Sequence, residues 1–109
     1  MVKYTNEEII RLLKKFIRKV NKKFKLEQVI LFGSRARGDY LINSDVDLIL
    51  VSKDFENLPF RKRMVEVIGD WDAYLDLEVL CYTPEEFNRK KEEEGIVKYA
   101  LKEGINFAV

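Results

Sequence analysis

Between two short apolar segments the chain reads Gly33-Ser34-Arg35-Ala36-Arg37-Gly38-Asp39-Tyr40-Leu41-Ile42-Asn43-Ser44-Asp45-Val46-Asp47. A glycine–serine pair, at which the backbone can turn tightly, follows the first segment, and an Asp-x-Asp pair opens the second. Backbone N–H groups in such a turn can bind an anion, and carboxylates bind hard cations such as Mg²⁺. The stretch therefore predicts a phosphate site next to a metal site.

The segments on either side of this stretch predict two strands. Residues 28–32 include Val29-Ile30-Leu31-Phe32, which is apolar on both faces and typical of a buried strand. Residues 45–52 alternate, so Asp45, Asp47, Ile49 and Val51 share one face and Val46, Leu48 and Leu50 share the other. The polar connection at 33–44 shows no clear helix and is too short for a parallel crossover. We therefore expect an antiparallel pair.

The remaining patterns predict three helices and a third strand. Thr5 and Glu8 form a capping box that begins a helix over 5–23, and a second helix begins near Pro59 and ends toward Gly69. Alternation predicts a strand over about 74–81. Thr83-Pro84-Glu85-Glu86 begins a third helix, which Gly95 interrupts and which resumes over 96–102. The apolar residues 105–109 fit core packing and an interface, such as a homodimer contact, equally well.

The resulting order, α-β-β-α-β-α, predicts an α/β (α+β) fold in which a mixed sheet of three or more strands is flanked by helices. The length of 109 residues fits a single domain over 1–109.

Composition excludes several classes of function. The net charge of +1 argues against broad non-specific binding of nucleic acid, and the absence of histidine excludes His-based catalysis and His metal ligands. Cys81 is the one cysteine, so an intramolecular disulfide cannot form and core packing is expected. With no signal-peptide pattern and no apolar stretch of membrane-spanning length, we expect a cytoplasmic protein with no membrane contact.

The candidate site consists of acidic and basic side chains around the first stretch. Asp45 and Asp47 leave one face of a strand about 6.5–7 Å apart, which suits one or two Mg²⁺ ions, although a strand beginning at a solvated edge has the same pattern. Asp76 and Glu78 share a face of the third strand. We favour Asp76 as a third acid, with Glu78 as the alternative and a solvated strand face as the other interpretation.

Arg35 and Arg37 lie close enough in sequence to the Gly33–Ser34 turn to bind a polyphosphate through their planar guanidinium groups.

These residues resemble a known family. Gly33-Ser34, ten residues and then Asp45-x-Asp47 match the signature of the DNA polymerase beta-like nucleotidyltransferase superfamily. Gly-Ser-Arg-Ala-Arg-Gly followed by Asn-Ser-Asp-Val-Asp-Leu resembles its minimal nucleotidyltransferase branch. The resemblance implies two Mg²⁺ ions and transfer of a nucleoside monophosphate, AMP from ATP being favoured, to a hydroxyl. It implies that Gly33 and Ser34 hold the triphosphate, and that Asp45, Asp47 and Asp76 bind metal and catalyse transfer.

The same resemblance implies a partner. Minimal nucleotidyltransferases often pair with a helical HEPN-domain protein, and some act as antitoxins that adenylylate a tyrosine of that toxin. The alternative is a non-catalytic module that neutralises a HEPN-type partner by contact. A third interpretation, a nucleic-acid binder that uses Arg61-Lys62-Arg63 and the first helix, is the weakest, because it requires a basic surface that the net charge does not favour.

Overall fold

A computed structural model describes residues 4–38 and 45–109 of the chain. Its elements follow in chain order: α1 (Asn6–Lys23), β1 (Gln28–Phe32), a short helix α2 (Ser34–Arg37), β2 (Val46–Val51), a 3₁₀ turn (Lys53–Phe55), α3 (Phe60–Ile68), β3 (Leu77–Tyr82), α4 (Pro84–Lys91), α5 (Ile96–Glu103) and β4 (Ile105–Phe107).

The strands form one mixed sheet in the order β3-β2-β1-β4. Strands β1 and β2 are antiparallel, which confirms the prediction from the short connection, and Phe32 pairs with Asp47. Strands β2 and β3 are parallel, with Asp47 paired to Glu78, and β4 adds to the free edge of β1 in antiparallel orientation. The predicted fold class, a mixed sheet flanked by helices, is confirmed.

Apolar residues cover both faces of this sheet. On one face α1 and α3 pack against Leu48, Leu50 and their neighbours, and on the other α4 and α5 pack against Ile30 and Ile49. The two faces of β2 separate as the alternation predicts. The face that carries Asp45 and Asp47 is therefore the face that α4 and α5 cover.

The helix starts follow their capping residues. The Thr5 hydroxyl accepts a hydrogen bond from the Glu8 N–H at 3.2 Å, and the Thr83 hydroxyl accepts one from the Glu86 N–H, also at 3.2 Å. Each glutamate returns a bond to its capping residue, so both predicted capping boxes form.

Two local predictions need correction. The connection predicted to be entirely loop contains α2 at residues 34–37, while its residues 39–44 lie outside the described part of the chain. The third strand spans Leu77–Tyr82 rather than about 74–81, because its partner β2 begins at Val46, which pairs with Leu77. No strand or helix was predicted for the apolar end, which forms strand β4, and Ile105 remains 46% exposed.

Within the described residues, no helix combines the length and the apolar composition that crossing a membrane requires.

Candidate active site

Acidic side chains collect where β2 and β3 begin. The parallel register places Asp47 directly beside Glu78, and paired residues of neighbouring strands point to the same face. One residue earlier, the Val46 N–H donates to the Asp76 carbonyl at 3.0 Å, so Asp76 lies at the entrance of β3 next to Asp45. The sheet thus brings the predicted acids of two segments, about thirty residues apart in sequence, to one end of one face.

Among these acids, Asp47 has a strongly shifted pKa. Its pKa is raised to about 6, first by burial, then by a side-chain hydrogen bond with Glu78 and by the charges of Glu78 and Asp45. The charge of Arg37 acts in the opposite direction. A carboxylate with acidic neighbours and partial burial is a poor choice for stability and is typical of a functional site.

The Gly33 backbone lies close against the Asp47 carboxylate. Its φ of +77° lies in the left-handed region, and a Cβ atom added there would overlap Asp47 Oδ2. The Gly33 carbonyl accepts the N–H groups of Ala36 and Arg37, which fixes the turn that leads into α2. Only glycine allows this turn to approach the acid so closely, and Ser34 begins the helix immediately beside it.

The two arginines of α2 lie in different environments. Arg35 is only 2% exposed, so its guanidinium group belongs to the interior beneath the turn. Arg37 is exposed, and its Nη1 donates to the Tyr99 hydroxyl of α5 at 2.6 Å. Because Arg37 is exposed and its charge acts on Asp47, it is the better placed of the two to meet a phosphate at the acidic group.

The acidic group fits Mg²⁺ as a shared ligand set. Its donors are carboxylate oxygens, which Mg²⁺ prefers, and a divalent cation would offset the repulsion between acidic neighbours that, after burial, contributes to the raised pKa of Asp47. Among residues 4–38 and 45–109, however, no three acidic or cysteine side chains already stand as a complete metal cage. This arrangement is typical of Mg²⁺ sites in which one or two carboxylates and the substrate phosphates bind the ion together.

The structure brings two further side chains to this site. Glu78, the second choice behind Asp76 in the sequence prediction, is paired with Asp47 by the strand register and, after burial, contributes to the raised pKa of Asp47. Tyr99 was not singled out, because it lies far from the glycine–serine stretch in sequence. Its position one helical turn after Gly95, on the element that returns toward β1, is the signal that could have found it.

The basic cluster Arg61-Lys62-Arg63 does not form a basic surface as a unit. Arg63 is 4% exposed, its Nε donates to the Leu58 carbonyl at 2.9 Å, and its Nη atoms bind both carboxylate oxygens of Glu86. Arg63 is therefore not available on a basic surface, which weakens the interpretation of the chain as a nucleic-acid binder.

Comparison with known proteins agrees with this geometry. The sequence profile of the nucleotidyltransferase domain family matches residues 13–105, which include every candidate site residue. A protein of Methanocaldococcus jannaschii named "putative protein adenylyltransferase" is 32% identical over 93% of this chain and 95% of its own length. The protein adenylyltransferase MntA of Thermococcus cleftensis is 29% identical over 96% of this chain and 98% of its own length.

A solved structure is similar as well. The crystal structure of a "putative nucleotidyltransferase" from Sulfolobus solfataricus superimposes with a TM-score of 0.69 and 28% sequence identity. The match covers 94% of this chain and 81% of the other.

Proposed function

This chain belongs to the nucleotidyltransferase domain family and is a nucleotidyltransferase, and from that premise we propose that it transfers AMP from ATP to a hydroxyl group of a partner protein. The observation that carries the proposal is the contact between Gly33 and Asp47. It joins the turn assigned to the triphosphate to the acid assigned to the reacting phosphate, so both halves of a nucleotide site meet at one point.

In the proposed reaction, an oxygen of the acceptor hydroxyl bonds to the α-phosphorus of ATP. The bond from that phosphorus to the bridging oxygen breaks, and pyrophosphate leaves with the electron pair. The Gly33–Ser34 turn and Arg37 orient the triphosphate, and Asp45 and Asp47 provide the carboxylates that would bind two Mg²⁺ ions. Bound Mg²⁺ would supply charge neutralisation at the phosphates.

The acceptor proton needs a carboxylate as its base, and two candidates remain. Asp76 is the third acid that the family resemblance implies, and it lies at the entrance of β3. Glu78 lies in hydrogen-bond contact with Asp47. The carboxylate that receives the proton must lie on the acceptor side of the phosphate, and both meet this condition because both belong to the β3 side of the site.

Arg35 takes a supporting role in this proposal. Arg35 is buried, so its side chain can hold α2 and the turn in place, whereas direct contact with phosphate is assigned to Arg37. In this proposal Arg35 positions the backbone that binds the nucleotide, and Arg37 binds the phosphates through its charge.

We take the partner from the family resemblance: a HEPN-domain toxin whose tyrosine accepts AMP, with this chain acting as antitoxin in the cytoplasm. The relatives named protein adenylyltransferases support a protein as acceptor. If contact alone neutralised the partner, the crowding of Asp45, Asp47 and Glu78 would have no use, which favours catalysis over the binding-module alternative.

The test is incubation with [α-³²P]ATP and MgCl₂, with and without a HEPN-domain candidate partner protein. We expect label on the partner, dependent on Mg²⁺ and reduced to below about 1% of the wild-type rate in Asp45→Asn and Asp47→Asn. Asp54→Asn, an exposed acid in the 3₁₀ turn, is the matched control and should retain activity. Stable complex formation without label would instead support a binding module.

The same assay separates the two candidate bases. Loss of transfer in Glu78→Gln with activity retained in Asp76→Asn would assign the proton to Glu78, and the opposite result would assign it to Asp76. Circular dichroism of each variant verifies that the sheet is intact.

A further inference from the structure

A groove opens on the same face of the sheet as the acidic site, toward the other end of β3. We call it the β3–α5 groove; it has a volume of about 640 Å³, and its lining includes Phe60, Leu80, Tyr82, Arg89, Lys90 and Ile96. Its walls combine apolar and charged side chains: the Phe60 and Tyr82 rings lie 5.6 Å apart and Ile96 is 56% exposed, and the charged residues are Glu86, Arg89, Lys90 and Glu93. A groove of this size holds one or two large side chains.

Two elements lead from the acidic site into this groove. Along β3, alternate residues share a face, so Glu78 at the site is followed by Leu80 and Tyr82 in the groove. Along α5, Tyr99 binds Arg37 at the site, and Ile96, one turn earlier, lines the groove. The groove and the site are therefore neighbouring parts of one surface.

The strand order decides which substrate each part can hold. In-line transfer puts the leaving pyrophosphate and the attacking hydroxyl on opposite sides of the reacting phosphorus. The turn assigned to the triphosphate follows β1, the assigned metal ligands belong to β2, and the order is β3-β2-β1. With pyrophosphate on the β1 side, the hydroxyl must arrive from the β3 side, where the groove lies.

We propose that the β3–α5 groove binds the acceptor protein segment that follows or precedes the modified tyrosine. The inference rests on the proposed function and specifies where its second substrate lies. The bound segment presents the phenolic oxygen, which bonds to the α-phosphorus as pyrophosphate leaves, and the phenolic proton passes to a carboxylate at the entrance of β3.

The groove also indicates the chemistry of that segment. The apolar residues of the groove favour a large apolar side chain on the bound segment. The distance from Glu78 to Tyr82 is about 13 Å along the strand, which corresponds to about four extended residues. The Glu86 charge in its lining is taken up by Arg63, and Lys90 pairs with Glu93 at 3.4 Å. Within the described chain Arg89 has no ion-pair partner, so the rim favours an acidic residue on the segment.

The experiment uses a degenerate peptide library with a central tyrosine and measures [³²P]AMP incorporation together with Mg-ATP binding by calorimetry. We expect the wild-type protein to select peptides with a large apolar residue within about four positions of the tyrosine and an acidic residue nearby. Ile96→Asp should lower incorporation at least tenfold, mainly through KM for the peptide, while Mg-ATP affinity stays within twofold.

Leu101→Asp is the matched control, because Leu101 is on the same helix, is 39% exposed and does not line the groove. It should leave incorporation and Mg-ATP affinity at wild-type values.

Each other outcome overturns the inference in a distinguishable way. If no peptide accepts AMP, or if Ile96→Asp and Leu101→Asp behave alike, the groove does not bind the acceptor, although Mg-ATP binding still supports the proposed function. If Ile96→Asp weakens Mg-ATP binding, the groove holds the nucleotide base instead. If the wild-type protein does not bind Mg-ATP, the proposed function itself fails.

Discussion

Charged groups are arranged differently at the two ends of strand β3. At its beginning Glu78 lies beside Asp47, and burial together with the acidic neighbours raises the pKa of Asp47 to about 6. At its end the buried Arg63 donates to both carboxylate oxygens of Glu86, at 2.5 and 3.2 Å, and to the Cys81 carbonyl at 3.1 Å. At one end opposite charges pair within the chain, whereas at the other acidic groups lie together. The first arrangement favours stability, and the second is the one to which the proposed function assigns the nucleotide.

The largest expected effect comes from a substitution at the first end of β3, beside Asp47. Gly33→Ala places a methyl group on the Asp47 carboxylate, so the acid must move, and a displacement of about 1 Å can reduce catalysis by about 100-fold. We expect a loss of that size in AMP transfer.

Gly38→Ala is the matched control for that change. Gly38 has a φ of +89°, but a Cβ atom there would meet nothing within 4 Å. The variant should lose about 1 kcal/mol of stability through backbone strain and keep its activity within a few-fold. Equal losses of activity in both variants would mean that strain, and not contact with Asp47, matters.

The second effect breaks the other end. Glu86→Ala leaves Arg63 buried without its carboxylate and removes a capping box, so the free energy of unfolding should fall by about 2–4 kcal/mol. Urea denaturation measures the loss. Glu85→Ala, its exposed neighbour, should change the free energy by less than about 0.5 kcal/mol.

The third effect is the pH dependence of stability at the first end, where Asp47 lies. Because the native pKa of Asp47, about 6, exceeds the ordinary value of 3.8 for an aspartate, the folded state binds the proton more tightly than the unfolded chain does. The stability from this group is complete below pH 3.8 and is lost as the pH rises through about 6. Asp47→Asn, always neutral, should therefore raise Tm by a few degrees at pH 7 and by much less at pH 4.

Thermal unfolding at both pH values measures this difference. Added MgCl₂ should raise the Tm of the wild-type protein at pH 7 and leave that of Asp47→Asn nearly unchanged. A Tm difference that is independent of pH would contradict the raised pKa.

The smallest effect concerns the link between the nucleotide turn and α5. Tyr99→Phe removes the hydroxyl that accepts the Arg37 hydrogen bond, so KM for ATP should rise by about 3–10-fold with kcat nearly unchanged. Tyr74→Phe, at a tyrosine that is 83% exposed, is the control in steady-state kinetics. A fall in kcat of similar size would show that Tyr99 acts on the chemical step.

The sequence predicted the strands that carry the acids because their signals are local. Alternation in residues 45–52 placed Asp45 and Asp47 on one face, and the capping residues Thr5 and Thr83 marked two helix starts. Such features depend on neighbours within about four residues, so they survive in a single sequence.

Other features depend on contacts between distant segments. The register that pairs Glu78 with Asp47 is set by packing across the sheet, so the sequence could not place Glu78 beside Asp47. Arg63 looked like a surface cation because its partner Glu86 lies in another helix. Strand β4 has three residues, too few for alternation to be recognised, and exists because β1 offers it an open edge.

The bond from Arg63 to the Cys81 carbonyl has a consequence for assembly. An open sheet edge is a template on which another strand can polymerise. Along β3 that template is closed, because Arg63 takes the Cys81 carbonyl and Val79 is only 2% exposed. Edge-to-edge growth of this sheet is therefore directed to β4, which β1 separates from the acids of β2, so copies joined through β4 would each keep an unobstructed acidic face.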